Sequence, residues 1–123
     1  MIAKKILIID DDLFLSDLYS LELQRAGFQV TTANGPEEGL SKMALEKPNL
    51  LLLDIAMPVM NGIQVLEKIR QSKDYASVKV LLLTNLRDDA TIRQGLSKGA
   101  DGYLLKTSLT PEQVVTEVKR ALN

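Results

Sequence analysis

Apolar runs of strand length alternate with helical patterns along the whole chain, and this alternation restricts the fold more than any other feature. Ile6-Leu7-Ile8-Ile9 and Leu50-Leu51-Leu52-Leu53 are apolar at every position, as strands covered on both faces must be. Phe28 to Thr32, Val78 to Leu83 and Gly102 to Leu105 read as three further strands. Between them, Leu13 to Ala26 places Phe14, Leu18 and Leu21 at helical spacing, with Leu15 and Tyr19 widening the stripe. That reading puts Phe14 and Leu18 in the core. Asp12 can cap this helix and Gly27 can end it. Pro36 opens a second helix that runs to about Glu46, and a third runs from about Ile63 to Ser72. The fourth covers Asp88 to Lys98. Gly95 in its middle is worth about 1 kcal/mol less than Ala, so it is expected to be weakly held. Thr110-Pro111-Glu112-Gln113 is a capping box before a fifth helix with Val114, Val115, Val118 and Leu122 on one face.

The order is therefore (βα)5. Such alternation gives a parallel sheet with helices on both faces, and right-handed crossovers make it doubly wound. For five strands the common order is 2-1-3-4-5, with ligands bound at the carboxyl ends of the strands. The 123 residues amount to one domain, expected over 1–123, with no linker tract. No stretch reaches the ~18 apolar residues of a membrane span. The formal charge of −1 gives no general attraction to nucleic acid or to anionic lipid, so neither is expected as a direct partner. The chain has no Cys and no His. Disulfides, thiolate nucleophiles, most zinc sites and every histidine-based triad are thereby excluded. Cytoplasmic residence fits the missing cysteines.

What stands at the strand ends narrows the chemistry. The first strand ends in Asp10-Asp11-Asp12, the third in Asp54, the fourth in Thr84 and the fifth in Lys106. In a parallel sheet these meet at one edge. Crowded carboxylates either hold protons or gather around a cation. With oxygen donors alone that cation is Mg²⁺ (or Mn²⁺), which leaves positions open for a phosphoryl oxygen. Lys106 adds positive charge, Thr84 a hydroxyl donor, and an Asp can itself become the phosphorylated nucleophile.

With these residues in place, the chain resembles the receiver domain of two-component response regulators over essentially its whole length. The resemblance is carried by Ile9-Asp10-Asp11, by Asp54 with Met57-Pro58 and Asn61-Gly62, by Leu83-Thr84, and by Gly99-Ala100-Asp101-Gly102-Tyr103-Leu104-Leu105-Lys106. It implies a flavodoxin-like fold. It implies that Asp54 accepts a phosphoryl group from a sensor histidine kinase or a histidine phosphotransfer protein. Asp11, Asp54 and the backbone carbonyl of Ala56 would ligate Mg²⁺, with Asp10 acting through a metal-bound water. Lys106 would pair with the phosphoryl group. Thr84 would move towards it and Tyr103 would turn inward, remodelling the face of the fourth helix, fifth strand and fifth helix to control a downstream protein. The molecule would be a signalling module that acts only on its own Asp54, a monomer that could dimerise through that face once phosphorylated.

Three departures from the family pattern bear on this. Thr107 follows Lys106 where receivers usually carry Pro, which leaves the isomer of that peptide bond open. Asn85 stands where a small residue is usual, within reach of a phosphoryl group. Ala56 and Leu86 offer no polar side chain to orient a hydrolytic water, which implies a long-lived phosphoryl group. Three other readings compete. A phosphatase of the haloacid-dehalogenase type would use Asp10 as nucleophile, but Phe14 breaks its motif. A flavin module would need a loop of backbone donors where the three acids stand. A receiver-like binding module would not need the intact acid, Thr and Lys set. No DNA-binding, kinase or cyclase segment follows Asn123, so the chain is either a stand-alone receiver or a piece of a longer protein.

Overall fold

The computed structural model describes residues 3–85 and 89–123. Among the described residues eleven elements follow one another: β1 (Lys5–Ile9), α1 (Leu13–Arg25), β2 (Gln29–Ala33), α2 (Pro36–Glu46), β3 (Leu50–Asp54), α3 (Gly62–Gln71), a 3-10 turn (Lys73–Tyr75), β4 (Lys79–Thr84), α4 (Asp89–Ser97), β5 (Gly102–Leu105) and α5 (Pro111–Leu122). The strands are parallel in the order β2-β1-β3-β4-β5, as the alternation predicts.

Side-chain alternation along each strand divides the core into two layers. Leu7, Ile9, Leu51, Leu53, Val80 and Leu82 pack against Met43 of α2 and Ile63, Val65, Leu66 and Ile69 of α3. On the other face Ile6, Ile8, Leu50, Leu52, Leu81, Leu83 and Leu104 meet Tyr19 and Leu23 of α1 and Val114 and Val118 of α5. Burying each of these large side chains stabilises the fold by about 1.5–3 kcal/mol. The unbroken apolar runs of β1 and β3 thus reflect cover on both faces.

The predicted caps are present. Asp12 accepts from Leu15 N at 3.1 Å, and the Thr110–Gln113 box is closed in both directions. Gly27 ends α1 with a φ of 99°. All described peptide bonds are trans, the one between Lys106 and Thr107 included.

One expectation about the helices needs correction. Phe14 is 75% exposed and Leu21 is exposed, while Leu18 is only partly buried. The buried positions of α1 are Ser16, Tyr19 and Leu23. The helix is turned so that Tyr19 and Leu23, with Ser16 and Leu15 beside them, face the sheet, while Phe14 and Leu21 face solvent. In α4, Gly95 is buried and lies so close to β4 that an added Cβ would overlap Leu82 Cδ1. The glycine lowers intrinsic helix propensity, but it also allows the helix to seat on the sheet. The expected start of α4 at Asp88 lies outside the described residues, as does Leu86.

The start of β5 is clamped from α3. Arg70 donates through Nε to Gly99 O at 3.0 Å and through Nη2 to Asp101 Oδ2 at 3.1 Å. Asp101 Oδ2 in turn accepts from Val80 N at 2.8 Å. These bonds hold β5 against β4 and so set the height at which Lys106 leaves the sheet.

Candidate functional site

Alternation decides which side chains meet at the carboxyl edge. Ile8, Leu52 and Leu104 face α1 and α5, so two residues later Asp10, Asp54 and Lys106 project to that same face. Lys106 Nζ lies 2.7 Å from Asp10 Oδ2 and 3.2 Å from Asp54 Oδ1, and all three side chains are almost wholly buried. Asp11 is exposed beside them.

The backbone holds each acid in place. Asp10 N donates to Ala33 O at 3.1 Å, carrying the β1–β2 pairing one residue further. Asp10 Oδ1 accepts from Asp12 N at 2.9 Å. Beyond Asp54 the chain turns back: Ile55 N donates to Leu83 O at 3.0 Å and Gly62 N to Ile55 O at 2.9 Å. A Cβ on Gly62 would overlap Asp54 O, so only glycine lets α3 begin this close to β3. Asn61 and Gln64 close a capping box there. The Asn-x-x-Gln spacing in the sequence was the signal for it. Val59, in the same loop, is exposed with a φ of 71°, a left-handed conformation that strains a β-branched residue.

Two buried carboxylates facing one ammonium leave an excess of negative charge. Burial, then the charge of Asp10, pushes the Asp54 carboxyl up to about 7, against the opposing pull of Lys106. Burial works against the Lys106 charge, but the close contact with Asp10 and its negative charge, helped by Asp54, raise its pKa and keep it an ammonium.

Oxygen atoms of Asp10, Asp11 and Asp54 all lie within 4.8 Å of one another. An ion with ligands at about 2.1 Å spans roughly 4.2 Å between opposite ligands. Small side-chain movements would therefore bring the three oxygens onto one ion. The donors are all hard oxygens, which suit Mg²⁺ or Mn²⁺ and not a thiophilic metal. The cluster could hold such a metal.

The remaining predicted residues flank this centre. Thr84 is buried at the end of β4 and, by alternation, faces the opposite side of the sheet, with Leu82. Its carbonyl accepts from Lys106 N at 2.9 Å. Tyr103 shares that face and is 39% exposed, so its ring stands outward here. Asn85 and Ala56 are exposed at the strand ends. Sequence reasoning missed the buried hydroxyls of Ser16 and Tyr19 below the acids.

The model of the response regulator receiver domain family matches residues 6–119. The alkaline phosphatase synthesis transcriptional regulatory protein PhoP of Bacillus subtilis is 38% identical over 119 residues, which is 97% of this chain and 48% of that protein. The transcriptional regulatory protein CpxR homolog of Haemophilus influenzae is 38% identical over 118 residues, 96% of this chain and 50% of that one. The chain thus spans about half the length of these curated relatives. Among solved structures, a chemotaxis response regulator of Vibrio cholerae superposes with a TM-score of 0.92 at 30% identity, covering 98% of this chain and 100% of that chain. A receiver domain protein of Methanospirillum hungatei gives 0.90 at 32% identity, covering 98% and 94%.

Proposed function

The chain belongs to the response regulator receiver domain family, and from that premise we propose that Asp54 takes a phosphoryl group from a phosphohistidine donor, a sensor histidine kinase or a histidine phosphotransfer protein. The observation that carries the reading is Lys106 Nζ held between Asp10 and Asp54 in a buried acidic cluster. In the transfer, an Asp54 carboxylate oxygen bonds to phosphorus as the histidine N–P bond breaks. Asp54 thereby becomes an acyl phosphate.

Asp11, Asp54 and the Ala56 carbonyl would hold Mg²⁺ (or Mn²⁺), with Asp10 one water away. Bound there, the ion would supply positive charge for the phosphoryl oxygens. Lys106 turns from Asp10 to the new charge, which outweighs the single carboxylate it leaves. Thr84 supplies its hydroxyl from the far face of the sheet, and the Tyr103 ring, outward in this structure, folds in behind it. The altered α4–β5–α5 face is what a downstream protein reads. Asn85, exposed just after β4, would bind the phosphoryl group through its side chain. With no polar side chain at Ala56 or Leu86 to orient a hydrolytic water, the acyl phosphate is long-lived. The domain acts as a module over 1–123 in the cytoplasm, without contacting nucleic acid itself. It has no substrate beyond its own Asp54.

Intact mass after incubation with acetyl phosphate and Mg²⁺ tests this. One phosphoryl group is expected on the wild type, with none on Asp54→Asn and none without Mg²⁺. A gain that survives Asp54→Asn but not Asp10→Asn refutes the reading in favour of a dehalogenase-type phosphatase.

A further inference from the structure

Among the described residues, three buried side-chain atoms have no hydrogen-bond partner: Asp10 Oδ2, Ser16 Oγ and Tyr19 OH. All three lie where the end of β1 meets the inner face of α1. An unpaired buried hydroxyl is unfavourable, and a Phe would pack in the same space without that cost. Tyr19 is only 1% exposed, in the layer that holds Ile8 and Leu104, the residues two positions before Asp10 and Lys106. Helical side chains lean towards the helix N-terminus, and the N-terminus of α1 adjoins the acids through its Asp12 cap. The long Tyr19 side chain therefore reaches up from beneath the site. Its hydroxyl stands in the field of Lys106, Asp10, Asp12 and Asp54.

Asp10 shows what that hydroxyl could serve. Its Oδ1 accepts from Asp12 N. Its Oδ2 has only Lys106 Nζ, 2.7 Å away but without the alignment of a hydrogen bond. When Lys106 turns to a phosphoryl group on Asp54, this buried carboxylate oxygen loses its direct counter-charge and keeps only a water-mediated contact to the ion, which is unfavourable. We propose that Tyr19 is a positioning residue of this site: its hydroxyl donates to Asp10 Oδ2 as Lys106 leaves, and so favours the phosphorylated arrangement. This rests on the receiver reading above. It predicts opposite effects of one deletion in the two states, because the hydroxyl is an orphan in one and a donor in the other.

The test compares Tyr19→Phe with the wild type, using beryllofluoride with Mg²⁺ as a mimic of the phosphoryl group. Three results are expected for the variant. Its metal-free Tm does not fall, and rises by about 4 °C, as removal of an orphan hydroxyl would give in a domain of this size. Its Mg²⁺ affinity without fluoride is unchanged, since Lys106 still holds Asp10. Its beryllofluoride affinity, by calorimetry, falls about tenfold, equivalent to about 1.4 kcal/mol. Unchanged beryllofluoride affinity overturns the proposal. So does a lower metal-free Tm, which would mean the hydroxyl is already partnered, and so does an equal loss of Mg²⁺ affinity. A wild type that does not respond to beryllofluoride at all refutes the receiver reading itself.

Discussion

Replacing Asp54 by Asn should make the metal-free protein more stable, and the gain should depend on pH. The folded protein keeps a proton on Asp54 up to about 7, while the ordinary carboxyl value is 3.8. Below pH 3.8 both states are protonated and the acid is harmless. As pH rises towards 7 the unfolded chain releases the proton freely, while the folded chain must either retain it or bury a charge. Stability therefore falls across that window and the whole penalty is present above it. Roughly three pH units at about 1.4 kcal/mol each set a ceiling of about 4 kcal/mol. Relaxation around the coupled acids reduces this, so about 2–4 kcal/mol is expected at pH 8. Asn removes the penalty and leaves Lys106 paired with Asp10. In a chain of this length that is a rise in Tm of about 8–16 °C. Circular dichroism melts in EDTA from pH 4 to 8 measure it. The gain should vanish near pH 4, and Mg²⁺ should stabilise the wild type more than the variant. An Asp54→Asn protein no more stable than the wild type at pH 8 would show that Lys106 fully compensates both acids, contrary to the argument.

Three further substitutions test the packing. Gly95→Ala should cost about 1–3 kcal/mol in urea denaturation, because overlap with the fully buried Leu82 outweighs about 1 kcal/mol of helix propensity; stabilisation would mean that α4 can lift off β4 freely. Val59→Gly should raise stability by about 1 kcal/mol through relief of its left-handed backbone, read as a shift in the denaturation midpoint with an unchanged slope. Phe14→Ser should change stability by less than about 0.5 kcal/mol, since the ring is 75% exposed. A loss of 3 kcal/mol or more, the cost of truncating a core aromatic, would restore the reading of Phe14 as core.

The strand ends were legible because β-sheet geometry leaves little freedom. A run of four apolar residues ending on Asp has one way to lie in a doubly wound sheet, and the acid must then fall on the carboxyl edge. Asp10, Asp54 and Lys106 meet for that reason, and their shared face follows from counting back by two to Ile8, Leu52 and Leu104. The rotation of α1 was not legible. Its apolar residues outnumber the positions that can be buried, so the sequence pattern allows several rotations. Packing chose the one that buries Ser16, Tyr19 and Leu23. The packing role of Gly95 was not legible either: propensity registers the missing side chain but not the Leu82 methyl that occupies its place.

The division of the site between the two faces of the sheet bears on how a signal could leave it. Asp10, Asp54 and Lys106 lie towards α1 and α5, whereas Thr84 and Tyr103 lie on the face of Leu82, where α4 is seated. A phosphoryl group on Asp54 would therefore act on one face, whereas Thr84 and Tyr103, which would respond to it, stand on the other. The ends of β4 and β5 are where the two sides connect, through the Lys106 N to Thr84 O bond at 2.9 Å. Gly95 seats α4 on Leu82, two residues before Thr84 on the same face. A displacement of Thr84 towards Asp54 would then have to be accommodated by α4 and the Tyr103 ring, because the sheet face beneath α4 is already filled by Leu82 and Ile63.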